Sequence, residues 1–281
     1  MNDLQDKLLV LYDYGVLYIG LVWLGLLSLC WTIVATLLYP ILPQRFATRF
    51  GRYIIMISFR AYLASLSFSR RCTFELTELD ALRDEAPLII APNHPCLLDA
   101  VMIISRLPNV ACVMKAELMR NIFLGAGARL ARYIPNEPIR QMVMQASEDF
   151  KTKSHLLLFP EGTRTVNPPI NSLKGSIALI AMQAKVPVQT ILIETDSPYL
   201  SKGWPLFRKP SMPVNYKIRL GKRFNPPQDT HDFIAELEDY FLHALKPSVH
   251  QFSSERFTFA PSTQQNVSLP ELEPSRSSRL S

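Results

Sequence analysis

Between Tyr14 and Gln44 the chain carries no charged residue, and Leu21 to Cys30 is apolar around every face of a helix. About 20 such residues are enough to cross a bilayer. A secretory leader is not expected, because Asp3 and Asp6 precede the stretch where basic residues should stand, and because the stretch is too long. Cysteine is scarce as well. Cys30, Cys72, Cys96 and Cys112 are scattered and form no Cys-x-x-Cys pair, which excludes a disulfide framework or a zinc knuckle. The five histidines form no ligand cluster, so no metal and no bound cofactor are expected. Internal repeats and nucleic-acid motifs are also missing. The net charge of +6 is concentrated in the middle of the chain, since the first residues are net acidic and the last thirty or so are balanced. A basic body without a nucleic-acid motif suits anionic lipid or a phosphorylated substrate, and no nucleic-acid partner.

What is present divides the chain in three. Residues 1–70 read as an N-terminal membrane-associated helical segment. Arg45, Arg49 and Arg52 follow the apolar stretch, which by the positive-inside tendency places the body of the protein in the cytosol. A hairpin helped by Pro40 and Pro43, with both ends on one side, fits the same residues, and so does a buried core helix. Residues 53–70 suit a helix at the membrane surface or one packed on the body. Residues 71–249 alternate short apolar runs with helical patterns. Strands are expected near 72–77, 87–91, 109–114, 155–159, 188–193 and 213–220. Helices are expected near 95–106, 116–131, 138–152 and 172–184, with a last one capped by Asp229 or Thr230. Such alternation predicts an α/β fold with a mixed or largely parallel central sheet flanked by helices. Residues 250–281 are rich in Ser, Pro and Gln and read as a disordered tail. The stretch 197–210 mixes aromatics with Lys202, Arg208 and Lys209, a composition that suits an interfacial loop, a contact with an acidic donor carrier or a plain surface loop.

Two stretches carry the chemistry. In Asn93-His94-Pro95-Cys96-Leu97-Leu98-Asp99, a loop histidine ahead of a helix starting at Pro95 would let Asp99 rise to the imidazole. A carboxylate there fixes the tautomer and stabilises the imidazolium, which suits a general base; a solvated or core histidine fits the pair equally well. In Phe159-Pro160-Glu161-Gly162-Thr163-Arg164-Thr165, a turn after a strand offers backbone N–H groups, hydroxyls and one guanidinium, the inventory of a phosphate cradle. A strand-end turn with Glu161 paired to Arg164 fits those residues too.

Together the two stretches resemble the His-x4-Asp and Phe-Pro-Glu-Gly-Thr-Arg blocks of the lysophosphatidic acid acyltransferase family. Lys115-Ala116-Glu117-Leu118, followed by Gly125, resembles the family's second block, and Val186-Pro187-Val188 its fourth. The resemblance spans roughly residues 85 to 220. It implies a membrane-bound enzyme that moves a fatty acyl group from acyl-CoA or an acyl carrier protein to the hydroxyl of a lysophospholipid. His94 would be the base and Asp99 its orienter. Glu161, Gly162, Thr163 and Arg164 would hold the acceptor's glycerol phosphate, with Lys115 as a second cation or simply a solvated one. Oxyanion donors are expected at the helix start after Pro95 or in the Gly162 turn. Cys96 stands where relatives often carry serine, and a thiol there can in principle take the acyl group itself.

Two departures bear on the acceptor. Asn136 stands where relatives often place a phosphate-binding arginine, with Arg129, Arg132 and Arg140 nearby, and Val186-Pro187-Val188-Gln189-Thr190 lacks a second proline. Both are compatible with another acceptor, such as a lyso-ornithine lipid. A catalytically idle lipid-binding scaffold is the reading from a different class.

Overall fold

Residues 4–38 make up a single helix long and apolar enough to cross a membrane, the one such helix among the described residues. The computed structural model describes residues 3–205 and 208–245, so the 250–281 tail lies outside the described residues. This helix, α1 (Asp3–Leu38), does not stand away from the body. It turns at 39–43 and returns as α2 (Gln44–Phe68). The Tyr12 hydroxyl near its start donates to the Ser69 carbonyl, and the Thr32 hydroxyl near its end donates to the Phe123 carbonyl. The two helices therefore form an antiparallel hairpin laid along the domain. Leu17 and Ala35 face inward, while Leu8, Leu11, Ile19, Val22, Ile33 and Leu37 stay exposed. Little of the apolar helix is buried, so it is no core helix.

Charged anchors fix the hairpin. Asp13 is buried between Arg71 Nε at 2.7 Å and Lys209 Nζ at 2.8 Å. Lys209, expected at an interfacial loop, is thus an anchor of α1, while Arg208 stacks on the Trp204 ring. Arg52 departs further from expectation. It is no juxtamembrane cation but a fully buried side chain, donating to Ala131 O, Asn109 Oδ1 and Asp149 Oδ1. Gly127 supplies the close approach on the other side, since a Cβ there would run into the Trp31 indole of α1.

The body is a seven-stranded sheet in the order β1-β7-β6-β2-β5-β3-β4. The strands are β1 (Cys72–Glu75), β2 (Ile89–Pro92), β3 (Val110–Met114), β4 (Ile134–Pro135), β5 (His155–Leu157), β6 (Val188–Thr195) and β7 (Val214–Phe224). β6, β2, β5, β3 and β4 run parallel; β7 is antiparallel to β6, and β1 is parallel to β7. The sheet is mixed and mostly parallel, as the alternation predicts. Successive side chains of a strand point to opposite faces, and Ile89 and Ile90 show the consequence. Ile90 packs with α2 and α3 (Asp99–Ile104) on one face. Ile89 packs with α5 (Ile139–Phe150), α6 (Ser176–Ala184) and α7 (Thr230–Ala244) on the other. Asp229 caps α7, accepting from the His231 and Asp232 amides.

Three local expectations change. The helix expected over 95–106 is only Asp99–Ile104, because the Leu97 amide bonds to Leu200 O and the Cys96 amide to Asp99, holding Pro95–Leu98 as a loop. The expected 116–131 helix breaks into a 3₁₀ turn over Ala116–Arg120 and α4 (Gly125–Leu130). There Asn121 is extended and its Oδ1 captures the Phe123 amide. β4, with two residues, is too short to leave a periodic signal.

Removing the guanidinium of Arg52 strands the Asp149 carboxylate in a buried site. Arg52→Leu should therefore lower unfolding free energy by about 3 kcal/mol, and the double variant Arg52→Leu/Asp149→Leu should recover part of it, read by thermal melting in detergent. His155 supplies a pH dependence. Its Nδ1 accepts from the Leu88 amide while Nε2 donates to Leu82 O, so the buried ring is neutral, and burial lowers its pKa. A depressed histidine contributes stability above about pH 6.5 and loses it as pH falls through the folded value. The melting temperature should drop below that pH, and His155→Gln should flatten the drop.

Candidate active site

β2 and β5 are neighbours, and the chain leaves them toward opposite faces of the sheet, β2 into α3 and β5 toward α6. Loops that part in this way open a crevice at the carboxyl ends of the strands. His94 stands on the first loop and Glu161–Arg164 on the second. Asn93 ends β2 by pairing its side chain with β6: Nδ2 donates to Ile193 O and Oδ1 accepts the Ile193 amide. This pairing aims the next residue, His94, out of the sheet.

The imidazole of His94 stacks on the Phe159 ring with centroids 3.9 Å apart, and its Nδ1 lies 2.8 Å from Asp99 Oδ2. Asp99 is completely buried; the His94 side chain keeps 17% of its surface. With Nδ1–H donating to the carboxylate, Nε2 is left as the ring's acceptor. Asp99 Oδ2 also accepts the Cys96 amide, and the Cys96 thiol donates to Oδ1 at 2.9 Å. The cysteine is 1% exposed, and burial first, then the adjacent carboxylate, raises its pKa well above the ordinary thiol range. The thiol is thus buried and turned toward Asp99.

Glu161 is met by donors from residues 94, 165 and 171. It is 1% exposed, and its carboxylate accepts the His94 amide at 2.8 Å, the Thr165 hydroxyl at 2.9 Å and the Asn171 amide at 2.9 Å. It braces the two loops against each other. Burial raises its pKa, with those three donors opposing the shift. The Thr165 amide closes the same seam by donating to His94 O. Gly162 turns with φ +69°, a left-handed conformation that favours glycine.

Arg164 does not pair with Glu161; its Nη1 donates to the Leu200 and Ser201 carbonyls. Thr163 is half-buried beside it. Lys115 lies exposed just past the end of β3 and makes no ion pair among the described residues. The Asn136 Oδ1 accepts the Ala116 amide, closing the turn after Lys115. The expected oxyanion donors are engaged elsewhere: Cys96 N on Asp99, Leu97 N on Leu200 O and Gly162 N on Phe159 O. Two residues were not singled out from the sequence. Asn171 caps the 161–167 turn from within the next loop, accepting the Val166 and Asn167 amides. Lys174 runs its stem across Gly162, placing a further cation at the turn. Lys174 sits in a Leu-Lys-Gly step that was read as helix; α6 begins only at Ser176.

Comparison with known proteins bears on this arrangement. Residues 73–194, which contain both loops, match the family model described as Acyltransferase. A Pseudomonas aeruginosa 1-acyl-sn-glycerol-3-phosphate acyltransferase is 23% identical over 251 residues, covering 86% of this chain and 90% of that protein. A Caenorhabditis elegans protein named putative 1-acyl-sn-glycerol-3-phosphate acyltransferase acl-1 is 24% identical over 50% of this chain. A human 1-acyl-sn-glycerol-3-phosphate acyltransferase beta is 22% identical over 54% of it. The matches span 64% of the worm protein and 58% of the human one, less than two thirds of either. The crystal structure of the 1-acyl-sn-glycerophosphate acyltransferase PlsC from Thermotoga maritima shares the fold, with a TM-score of 0.53 at 18% identity, covering 79% of this chain and 95% of that one.

Glu161→Gln would turn an amide N–H₂ toward donors that now meet carboxylate oxygens. Stability should fall by about 2 kcal/mol, and hydrogen exchange at the His94 and Asn171 amides should accelerate while exchange in β6 stays unchanged.

Proposed function

For a chain that belongs to the lysophosphatidic acid acyltransferase family, we propose transfer of a fatty acyl group from acyl-CoA or an acyl carrier protein to the free hydroxyl of a lysophospholipid, with 1-acyl-sn-glycerol-3-phosphate as the acceptor. The observation that carries this reading is the 2.8 Å contact between His94 Nδ1 and a fully buried Asp99, which leaves Nε2 as the ring's acceptor at the strand ends. A hydroxyl must lose its proton as it attacks, and Nε2 is the acceptor for that proton. The hydroxyl oxygen bonds to the thioester carbonyl carbon, the tetrahedral oxyanion collapses, and the C–S bond breaks. The departing thiolate takes the proton back from the imidazolium, whose charge Asp99 has stabilised. The burial of the Cys96 thiol supports direct transfer without an acyl-enzyme.

For the acceptor's phosphate, the groups at hand are the Thr163 hydroxyl, the guanidinium of Arg164 beyond its two carbonyl contacts, and the ammonium groups of Lys115 and Lys174. The exposed apolar side of the α1–α2 hairpin supports seating on a membrane, with Arg45 and Arg49 favouring the cytosolic leaflet. A second acceptor, a lysolipid with a different headgroup, is favoured by one observation: Asn136, at the place of a phosphate-binding arginine, is engaged on the Ala116 amide.

Protein purified in detergent, offered acyl-CoA and acyl carrier protein thioesters with a panel of lysolipids, should acylate lysophosphatidic acid, read by mass spectrometry. Turnover of a different lysolipid alone would move the acceptor to the second reading, and turnover of none would favour a lipid-binding scaffold. His94→Ala should cost on the order of a thousandfold in kcat while vesicle flotation is unchanged. If Glu161 braces rather than binds, Glu161→Gln lowers kcat and leaves the acceptor KM in place.

A further inference from the structure

One residue supplies two of the three donors that meet the Asp99 carboxylate. The Cys96 amide lies 2.9 Å from Oδ2, and the Cys96 sulfur lies 2.9 Å from Oδ1. The third donor is His94. Behind the sulfur stand the Leu98 amide and the hydroxyl of Tyr216. Tyr216 is 1% exposed, its ring stacks on Phe74 at 5.4 Å, and its buried hydroxyl lies near the Cys96 sulfur without a hydrogen bond of ordinary geometry. β7 runs antiparallel to β6, with Tyr216 opposite Thr195, so this phenol reaches the catalytic end of the sheet from underneath.

We propose that Cys96, backed by Tyr216, is a positioning residue for the His94–Asp99 pair: its backbone and thiol together hold the carboxylate in line with the imidazole, and the weakness of the S–H donor leaves Asp99 its full pull on the imidazolium. The inference rests on reading His94 as the base. A thiol is a poor donor beside a hydroxyl. A carboxylate receiving a strong third hydrogen bond has part of its charge drawn off, and it stabilises the imidazolium less. Serine at this position would therefore make His94 a weaker base than cysteine does. Alanine would leave Oδ1 without its donor, making the ring more basic but the carboxylate loosely held. A residue that merely packs the turn would have neither effect.

The groups that face this cluster are few. His94 sees Asp99 from α3 and Glu161 from the loop after β5. The Cys96 sulfur sees Asp99, Tyr216 and Tyr199, and Tyr216 sees Cys72 of β1 and Tyr199. Burial pushes Cys72 up to about 11 and raises both tyrosines, so these stay protonated through the neutral range.

The test is the pH profile of kcat/KM for the full-length protein in detergent, with acyl-CoA and the lysolipid it turns over. A general base must be neutral, so activity rises along an acid limb. Cys96→Ser should shift that limb to lower pH by several tenths of a unit. Cys96→Ala should shift it to higher pH and lower kcat about tenfold with an unchanged acceptor KM. Tyr216→Phe should move it the same way as alanine, by less. If Cys96→Ala does not fold, the serine and phenylalanine variants decide the matter. An acid limb that stays in place in all folded variants, with only a lower melting temperature, would overturn the proposal. So would an acyl adduct on Cys96 in intact-mass spectra after incubation with donor. Retained turnover in His94→Ala would instead remove the base assignment itself, which separates the two failures.

Discussion

The hydrogen bond from the His94 amide to the Glu161 carboxylate joins two loops that would otherwise part. One follows β2 and the other follows β5, and the chain leaves them toward opposite faces of the sheet. A carboxylate buried this deeply is expensive unless its oxygens meet donors. The amides of His94 and Asn171 and the hydroxyl of Thr165 meet them from three separate points of the chain. The cradle of side chains between the loops exists because that requirement is satisfied, and the return bond from the Thr165 amide to His94 O makes the brace mutual.

A second buried carboxylate, Asp99, works by the same physics toward another end. Its donors are nearly all local, from His94 and Cys96, and they prevent a helix from starting at Pro95. One continuous helix through both residues would carry His94 and Asp99 to different faces, because five residues turn the chain about 500°. The loop over Pro95–Leu98 is what brings imidazole and acid together. The two loops thus hold two buried acids, one bonded to the His94 ring and one to the His94 amide.

The α1–α2 hairpin is tied to the body by charge as well as by apolar contact. Arg52 reaches Asp149 and Asn109 beneath the sheet, and Asp13 holds Arg71 and Lys209. Buried ion pairs of this kind give little net stability, but they specify one arrangement, because any other leaves a charge unpaired. Seating α1 and α2 in one register places their exposed apolar side at a set distance from the His94 loop.

The sequence by itself determined the class of fold, six of the seven strand sites to within a few residues, a cap for α7 at Asp229 or Thr230, and the closeness of Asp99 to His94 along the chain. Those follow from local causes: apolar periodicity, turn residues, and an acid close in sequence to its imidazole. Tertiary structure decided what each long-range partner does. Glu161 became a brace because donors from residues 94, 165 and 171 converge on it, and Arg52 and Lys209 became anchors because buried acids face them. Lys174 entered the cradle only because its loop folds over Gly162. A charged side chain's role is set by what lies within a few ångströms of its tip, and for these residues that neighbour comes from far along the chain.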